Sequence, residues 1–269
     1  MRAFRLRLPA ADEDAATAAL WENGTLGLEV RSANGWLELL AYFPDSVAPA
    51  TIREALPQAE VQPTPVPEVD WVARFREGFR PFPAGRFLIA PAWEAPAPSP
   101  DVLLVDPGRA FGTGTHETTR LCLGALEDLA ARRRLGRTLD LGAGTGLLAI
   151  AAARLGASPV VASDLDPEAA ASAVHHAALN GARLGVVRAD GGRGLRPRSF
   201  DLVLANLMAL LLVDRAAEIR TLLAPGAALV LSGLLVEDVA FVAEAFAACG
   251  TPRRRRLGEW AALLYEGTP

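Results

Sequence analysis

The clearest chemistry in the chain lies at residues 137–146, R-T-L-D-L-G-A-G-T-G, followed at once by the helical pattern Leu147, Leu148, Ile150 and Ala151. An apolar stretch that ends in closely spaced glycines and passes straight into a helix is the strand-turn-helix corner of an open α/β sheet. Gly142, Gly144 and Gly146 let the backbone turn sharply and let a ligand approach where a Cβ would clash. The helix start adds unpaired N–H groups and the positive end of its dipole, a setting for a carboxylate or phosphate. Asp140 stands in the strand two residues before the first glycine. A second acid, Asp164, closes the next apolar strand about twenty residues on, where a carboxylate meets ribose hydroxyls. These residues imply a nucleoside cofactor.

A second chemical stretch runs from 106 to 119, D-P-G-R-A-F-G-T-G-T-H-E-T-T. Three glycines give it a flexible backbone, while Phe111, His116 and four threonines supply an aromatic face and hydrogen-bonding groups. Loops of this composition bind ligands. Residues 115–119 also suit the N-terminal cap of a helix at 118–134, but capping needs neither Phe111 nor His116.

Spacing decides which cofactor. A dinucleotide fingerprint places its glycines at positions one, three and six of the motif; here position six is Leu147, and the third glycine comes one residue early at Gly146. The turn reads D-x-G-x-G-x-G instead, and it resembles motif I of S-adenosylmethionine (SAM) dependent methyltransferases. That resemblance implies that the glycine turn holds the methionine end of SAM and that Asp140 organises the turn and the cofactor's amino group. Asp190, at the end of the third strand, is placed to reach the adenine ring.

The elements that must position these residues alternate through the second half of the chain. Helix 147–155, strand 160–164, helix 167–180 with Gly181 as its stop, and strand 186–189 repeat a β-α rhythm. Residues 200–205 are a near-continuous apolar run, as in a central parallel strand buried on both faces; the run ends in Asn206-Leu207. Helix 210–223, strand 228–232, helix 236–249 and two last strands able to form a hairpin complete a doubly wound sheet. Upstream, strands at 4–8, 25–31, 36–43 and 60–62 with helices at 12–23 and 49–56 give β-α-β-β-α-β, the order of a ferredoxin-like module. Pro63, Pro65 and Pro67 make a stiff connector. Trp71, Phe75 and Phe79 recur on one face of the segment after it. The expected organisation is a ferredoxin-like domain at 1–62, a connector and linker helix at 63–80, and a methyltransferase domain at 81–269.

Composition narrows the functions. No run approaches the roughly twenty apolar residues of a membrane span, and the N-terminus lacks the apolar core of a signal peptide. Cys122 and Cys249 sit in apolar helical patterns as core thiols, which fits a reducing cytoplasm. A net charge of −4 provides no field for a nucleic-acid backbone. The dense basic block, 253–256, reads as a solvated face. All 27 basic residues are arginine, so Schiff-base chemistry and lysine general bases are excluded. His175 and His176 lack partners at metal spacing, and no metal is expected.

Taken together, Asp106-Pro107-Gly108, Ala110-Phe111-Gly112-Thr113-Gly114-Thr115-His116, Thr118-Thr119, the D-L-G-A-G-T-G turn, Asp164-Leu165-Asp166-Pro167, Ala205-Asn206-Leu207 and Glu259-Trp260 resemble the bacterial ribosomal protein L-eleven methyltransferase family. The likeness covers about residues 70–265. It implies methylation of lysine ε-amino groups and the N-terminal α-amino group of that ribosomal protein, with the small domain recognising it and the enzyme acting as a cytoplasmic monomer. It places Thr119, Gly142, Asp164 and Asn206 in the SAM site beside Asp140, Gly144, Gly146 and Asp190. Asn206 and the following carbonyl, on Leu207, are candidates to orient the amine. Phe111 is expected to wall the pocket, and His116 to accept a proton or hold the loop. The first proline of the Asn-Pro-Pro-aromatic motif of many amino methyltransferases is Leu207 here. Methylation of RNA or a small-molecule amine, and a module that only binds SAM, stand as alternatives; the acidic charge and the absent aromatic clamp weigh against the first, the intact acids and glycines against the second.

Overall fold

Alternation of apolar and polar residues in Arg2–Pro9 puts Phe4, Leu6 and Leu8 on one side of a strand, and in Trp36–Phe43 it does the same for Leu37, Leu39, Ala41 and Phe43. In the computed structural model, which describes residues 2–33, 35–65, 79–97, 99–106, 112 and 114–268, these side chains form one core with Leu20, Ile52 and Leu56 of two helices. The elements are β1 (Arg2–Pro9), α1 (Glu13–Glu22), β2 (Gly27–Ala33), β3 (Trp36–Phe43), α2 (Pro49–Ala55) and β4 (Glu60–Thr64). The sheet order β2-β3-β1-β4, with antiparallel pairs, is the ferredoxin-like arrangement. The chain divides into two compact units, Met1–Asp70 and Trp71–Pro269. The expected linker helix lies outside the described residues apart from Phe79, whose ring packs 5.8 Å from that of Phe82.

The second unit begins with a small sheet of β5 (Phe82–Ala84), β6 (Phe87–Pro91) and β7 (Val102–Val105); β5 is too short to register as a periodic pattern. Then follow α3 (Glu117–Arg132), β8 (Thr138–Leu141), α4 (Leu147–Arg154), β9 (Val160–Asp164), α5 (Pro167–Leu179), β10 (Gly185–Arg188), β11 (Phe200–Asn206), α6 (Ala209–Asp214), α7 (Ala216–Leu222), β12 (Leu223–Leu235), α8 (Val239–Ala245), β13 (Arg253–Leu257) and β14 (Trp260–Glu266). Helix α3 buries Leu121, Cys122, Ala125, Leu126 and Leu129, a three-and-four spacing that fixes its inner face. Pro167 at the first turn and the Asp166 carboxylate, which accepts the Glu168 N–H at 2.9 Å, start α5.

The main sheet runs β10-β9-β8-β11-β12-β14-β13, parallel through β12 and closed by the antiparallel β13–β14 hairpin. Alternate residues of β11 serve two cores. Leu202 and Leu204 pack with α3, α4 and the small sheet; Val203 and Ala205 pack with α6, α7 and α8. Each fully buried leucine contributes about 1.5–3 kcal/mol, so the strand that delivers Asn206 is fixed from both faces. The expected single helix after Asn206 is two, α6 and α7, joined at Arg215, and the expected helix 236–249 is helical by α geometry only over Val239–Ala245, with 3-10 turns either side.

Candidate functional site

Four parallel strands end in one place. Asp140, in β8, is buried, and its carboxylate accepts the Ala149 N–H at the start of α4 at 3.0 Å. The anion at this helix N-terminus is therefore the protein's own. Burial pushes the Asp140 carboxyl up to about 7, the Ala149 bond opposes that, and the charge of Asp164 adds to it. Gly142, with φ +72°, leaves room for Leu207: a Cβ would lie 2.4 Å from Leu207 Cδ2. At the end of β9, Asp164 accepts N–H groups from Gly144 at 2.9 Å and Asp166 at 3.0 Å. A carboxylate has about four acceptor directions, so capacity for hydroxyl donors remains.

Between these strand ends lies a cleft of ≈ 170 Å³, lined by Leu141, Gly142, Ser163, Asp164, Leu165, Ala189, Asp190, Gly191, Leu207, Leu211 and Arg215. It sits outside the carboxyl ends of the strands, where open α/β sheets bind ligands. Its far wall is an ionic network: Arg215 reaches Asp190 at 2.8 Å and Glu218 at 3.2 Å, Arg193 reaches Asp190 at 2.9 Å, and Glu218 accepts the Gly192 N–H at 2.6 Å. The carboxylates hold the Arg215 guanidinium above its ordinary value. Beyond Leu207 the rim is apolar, with Met208 and Leu210 73% and 76% exposed.

The N-terminus of α3 meets Asn206 at the other side. Asn206 Nδ2 donates to Thr118 Oγ1 at 3.2 Å, and Thr118 Oγ1 lies 2.9 Å from His116 Nδ1. Asn206 Oδ1 and Thr119 Oγ1 are buried with no hydrogen-bond partner among the described residues. Ser232, at the partner position to Asn206 in β12, donates toward the carbonyls of Thr118 and Ala261 and ties α3 to the sheet. The cap of α3 is His116 itself, whose Nδ1 accepts the Thr118 N–H at 3.3 Å while its ring meets Trp260 edge-on at 4.6 Å. The expectation that capping needs no histidine is thereby corrected: with Nδ1 accepting from Thr118, the imidazole does the work of an Asx or Ser oxygen. Phe111 lies outside the described residues.

Two described points between β7 and α3 are held by hydrogen bonds. Thr145 Oγ1, in the glycine turn, donates to the Gly112 carbonyl at 2.7 Å. From α5, the Asn180 side chain bonds both the N–H and the C=O of Leu104 at 2.8 Å, and His176 Nε2 accepts the Asp106 N–H at 3.1 Å. Together they stand in for a strand along the open edge of β7. Burial holds His176 below the ordinary histidine range. Arg215, Asn180 and Ser232 carry no local motif and were not expected, and Thr145 lies in the glycine turn without having been singled out; the polar Asn180 at a helix end is the one mark the sequence offers for the first three.

Of the expected residues, Gly142, Asp164, Asp190 and Leu207 line the cleft; Asp140, Gly144 and Gly146 build the turn behind it; Thr119 and Asn206 contribute the orphaned oxygens. Two carboxylates, an apolar wall and, among the described residues, two buried oxygens without partners make a setting that SAM fits. Among the described residues no cluster of His, Cys, Asp or Glu could hold a metal, and no helix is long and apolar enough to cross a membrane.

Comparison with known proteins agrees with this geometry. A model of the family described as ribosomal protein L11 methyltransferase (PrmA) matches residues 9–266. A protein of that name from Geobacter sulfurreducens is 46% identical over 214 residues, 76% of this chain and 70% of that protein. Another, from Pelobacter propionicus, is 41% identical over 237 residues, 85% of this chain and 76% of that protein. The crystal structure of a ribosomal protein L11 methylase from Lactobacillus delbrueckii subsp. bulgaricus aligns with a TM-score of 0.63 at 29% identity, over 71% of this chain and 100% of that one.

Proposed function

The chain belongs to the ribosomal protein L11 methyltransferase family, and from that premise we propose that it transfers methyl groups from SAM to lysine ε-amino groups and the N-terminal α-amino group of ribosomal protein L11. The observation that carries the chemical half of this reading is Asn206 Oδ1, a buried acceptor without a partner among the described residues at the end of the central strand. An acceptor kept dry and unclaimed suits a nucleophile that arrives with N–H groups to donate and a lone pair to aim elsewhere.

When bound, SAM supplies the methyl carbon: the amine lone pair makes the N–C bond, the S–C pair stays on sulfur, and the amine's surplus proton goes to water. The residues bind and orient. Asp164 takes the ribose hydroxyls, Asp190 the adenine side, Thr119 and the turn built on Asp140, Gly142, Gly144 and Gly146 the methionine end, and Asn206 with the Leu207 carbonyl the amine nitrogen. His116 holds the α3 cap, because its Nδ1 is occupied by Thr118. No strong base is required. Deprotonating a lysine of pKa about 10.4 near pH 7 costs roughly 4–5 kcal/mol, and an α-amine near 7.8 about 1 kcal/mol; desolvation lowers both by disfavouring the ammonium. The apolar rim of Met208 and Leu210 suits the methylene stem of a lysine. The ferredoxin-like unit is assigned to recognition of the ribosomal protein, and the enzyme to the cytoplasm as a monomer that needs no nucleic acid.

Peptide mass mapping of purified L11 after incubation with the protein and SAM tests this. The reading requires added methyl groups on lysines and on the N-terminal amine. Bound SAM with no methylated amine on L11 would overturn it.

A further inference from the structure

Strand β12 carries a glycine where it passes the end of β11. Gly233 lies in the bulge that shifts the pairing of β12 with β14 between Ser232 and Leu234, at φ +85°. A Cβ at this position would sit 2.3 Å from the Leu207 carbonyl oxygen, 2.7 Å from the carbonyl carbon and 2.9 Å from the nitrogen. All three are backbone atoms, so no rotamer change relieves the overlap. The Ser232 carbonyl accepts the Leu207 N–H at 3.0 Å, which prolongs the β11–β12 ladder by one bond past the Asn206–Ser232 pair. The ladder stops there, and no backbone N–H among the described residues bonds the Leu207 carbonyl. On its other side the Leu207 side chain packs on Gly142. Leu207 is thus held between two glycines, with its side chain in the cleft and its carbonyl oxygen toward Gly233.

We infer that Gly233 is a positioning residue for methyl transfer: by carrying no side chain it leaves the Leu207 carbonyl oxygen open to an N–H of the incoming amine, on the residue next to Asn206. The inference rests on the amine reading above. A donor nitrogen must come within about 2.7–3.2 Å of its acceptor, and a methyl carbon at 2.3 Å occupies that space and displaces the carbonyl as well. Two acceptors on successive residues engage two N–H groups of a neutral amine, and tetrahedral nitrogen then points its lone pair in a fixed direction. Near-attack alignment of this kind is where an enzyme without a strong base gains rate.

The test compares Gly233→Ala with Gly226→Ala, an alanine in the same strand at φ +74° with nothing within 4 Å. The second variant carries the backbone strain alone. Turnover at saturating SAM, affinity for S-adenosylhomocysteine by calorimetry, and melting temperature are measured for both. Gly233→Ala should lose roughly 10- to 150-fold in turnover relative to Gly226→Ala, the equivalent of one charge-assisted hydrogen bond, while its S-adenosylhomocysteine affinity holds. Equal turnover in the two variants, or a loss of affinity that matches the loss of turnover, would overturn the inference.

A direct readout exists because the chain has two methionines, Met1 and Met208. Protein labelled with carbonyl-13C leucine and 15N methionine gives a single amide–carbonyl correlation, that of Leu207–Met208. Adding L11 to the labelled complex with S-adenosylhomocysteine should move the Leu207 carbonyl resonance in the parent and in Gly226→Ala but not in Gly233→Ala. An unmoved resonance in a parent that methylates L11 overturns the inference and leaves the amine reading standing, even if Gly233→Ala fails to fold. A parent that methylates no amine of L11 removes the reading and the inference together.

Discussion

Replacing Asn206 with alanine separates binding from transfer. In the fold the substitution deletes the 3.2 Å bond from Asn206 Nδ2 to Thr118 Oγ1, a neutral hydrogen bond worth about 0.5–1.5 kcal/mol. It also deletes Oδ1, a buried acceptor with no partner among the described residues, whose desolvation costs about 1–3 kcal/mol. The two effects oppose one another, and their central values, about 1 and about 2 kcal/mol, leave a net gain of about 1 kcal/mol, a few degrees in melting temperature for a unit of this size. Thr118 keeps its contact with His116, so the α3 cap survives. Turnover behaves differently. Positive charge grows on the amine nitrogen as the N–C bond forms, and a charge-assisted bond to it is worth about 1.5–3 kcal/mol, or roughly 10- to 150-fold in kcat. With SAM held on the proposed reading by the carboxylates and the glycine turn, its affinity should fall far less. The assay is steady-state kinetics with L11, alongside calorimetric titration of S-adenosylhomocysteine. Equal factors lost in kcat and in affinity would make Asn206 a cofactor residue only and refute the argument.

Three further outcomes follow from the charges. Asp140 is raised to about 7 by burial, so between about pH 4 and 7 the folded chain holds a proton that the unfolded chain has released, and stability falls as pH rises through that window. Asp140→Asn keeps an acceptor for Ala149 without the titration, so it should unfold at higher denaturant than the parent at pH 8, by up to about 4 kcal/mol, and bind SAM more weakly; a parent-like midpoint contradicts this. His176 is lowered by burial, so its contribution is present above the unfolded value of about 6.5 and is lost as pH falls through the folded value. His176→Gln, which retains an acceptor for the Asp106 N–H, should flatten the acid limb of a melting-temperature profile, and an unchanged limb would show that the buried imidazole is not its source. Arg215→Met should weaken SAM binding severalfold with kcat at saturation unchanged, since Arg215 touches the wall at Asp190 and not the transfer point; a fall in kcat at saturating SAM would place it in the transfer step.

The strand-turn-helix at 137–146 was legible because its information is local: glycine spacing, an acid two residues upstream and a helical pattern downstream. The same holds for β11, whose unbroken apolar run reports a strand buried on both faces, and for the ferredoxin-like order of the first six long elements. What the sequence withheld depends on contacts between distant positions. Asn180 and Leu104 are 76 residues apart, and nothing in a helix-terminal asparagine announces that it will complete a strand edge. Nothing local to Gly233 marks its approach to the Leu207 backbone, which only the fold brings about. His116 reads as chemistry by residue type, while its geometry is that of a cap. Arg215 falls at a break between α6 and α7 that apolar periodicity smooths over, because Leu211, Leu212, Ile219 and Leu222 continue the pattern on either side of it.

The most direct measurement incubates the protein with methyl-labelled SAM and the full set of separated ribosomal proteins and RNA. Label should appear on one large-subunit protein, L11, be retained after nuclease treatment and be removed from it only with its lysine-bearing and N-terminal peptides. Label in RNA, or in no macromolecule while SAM binding is demonstrated, would contradict the proposed function.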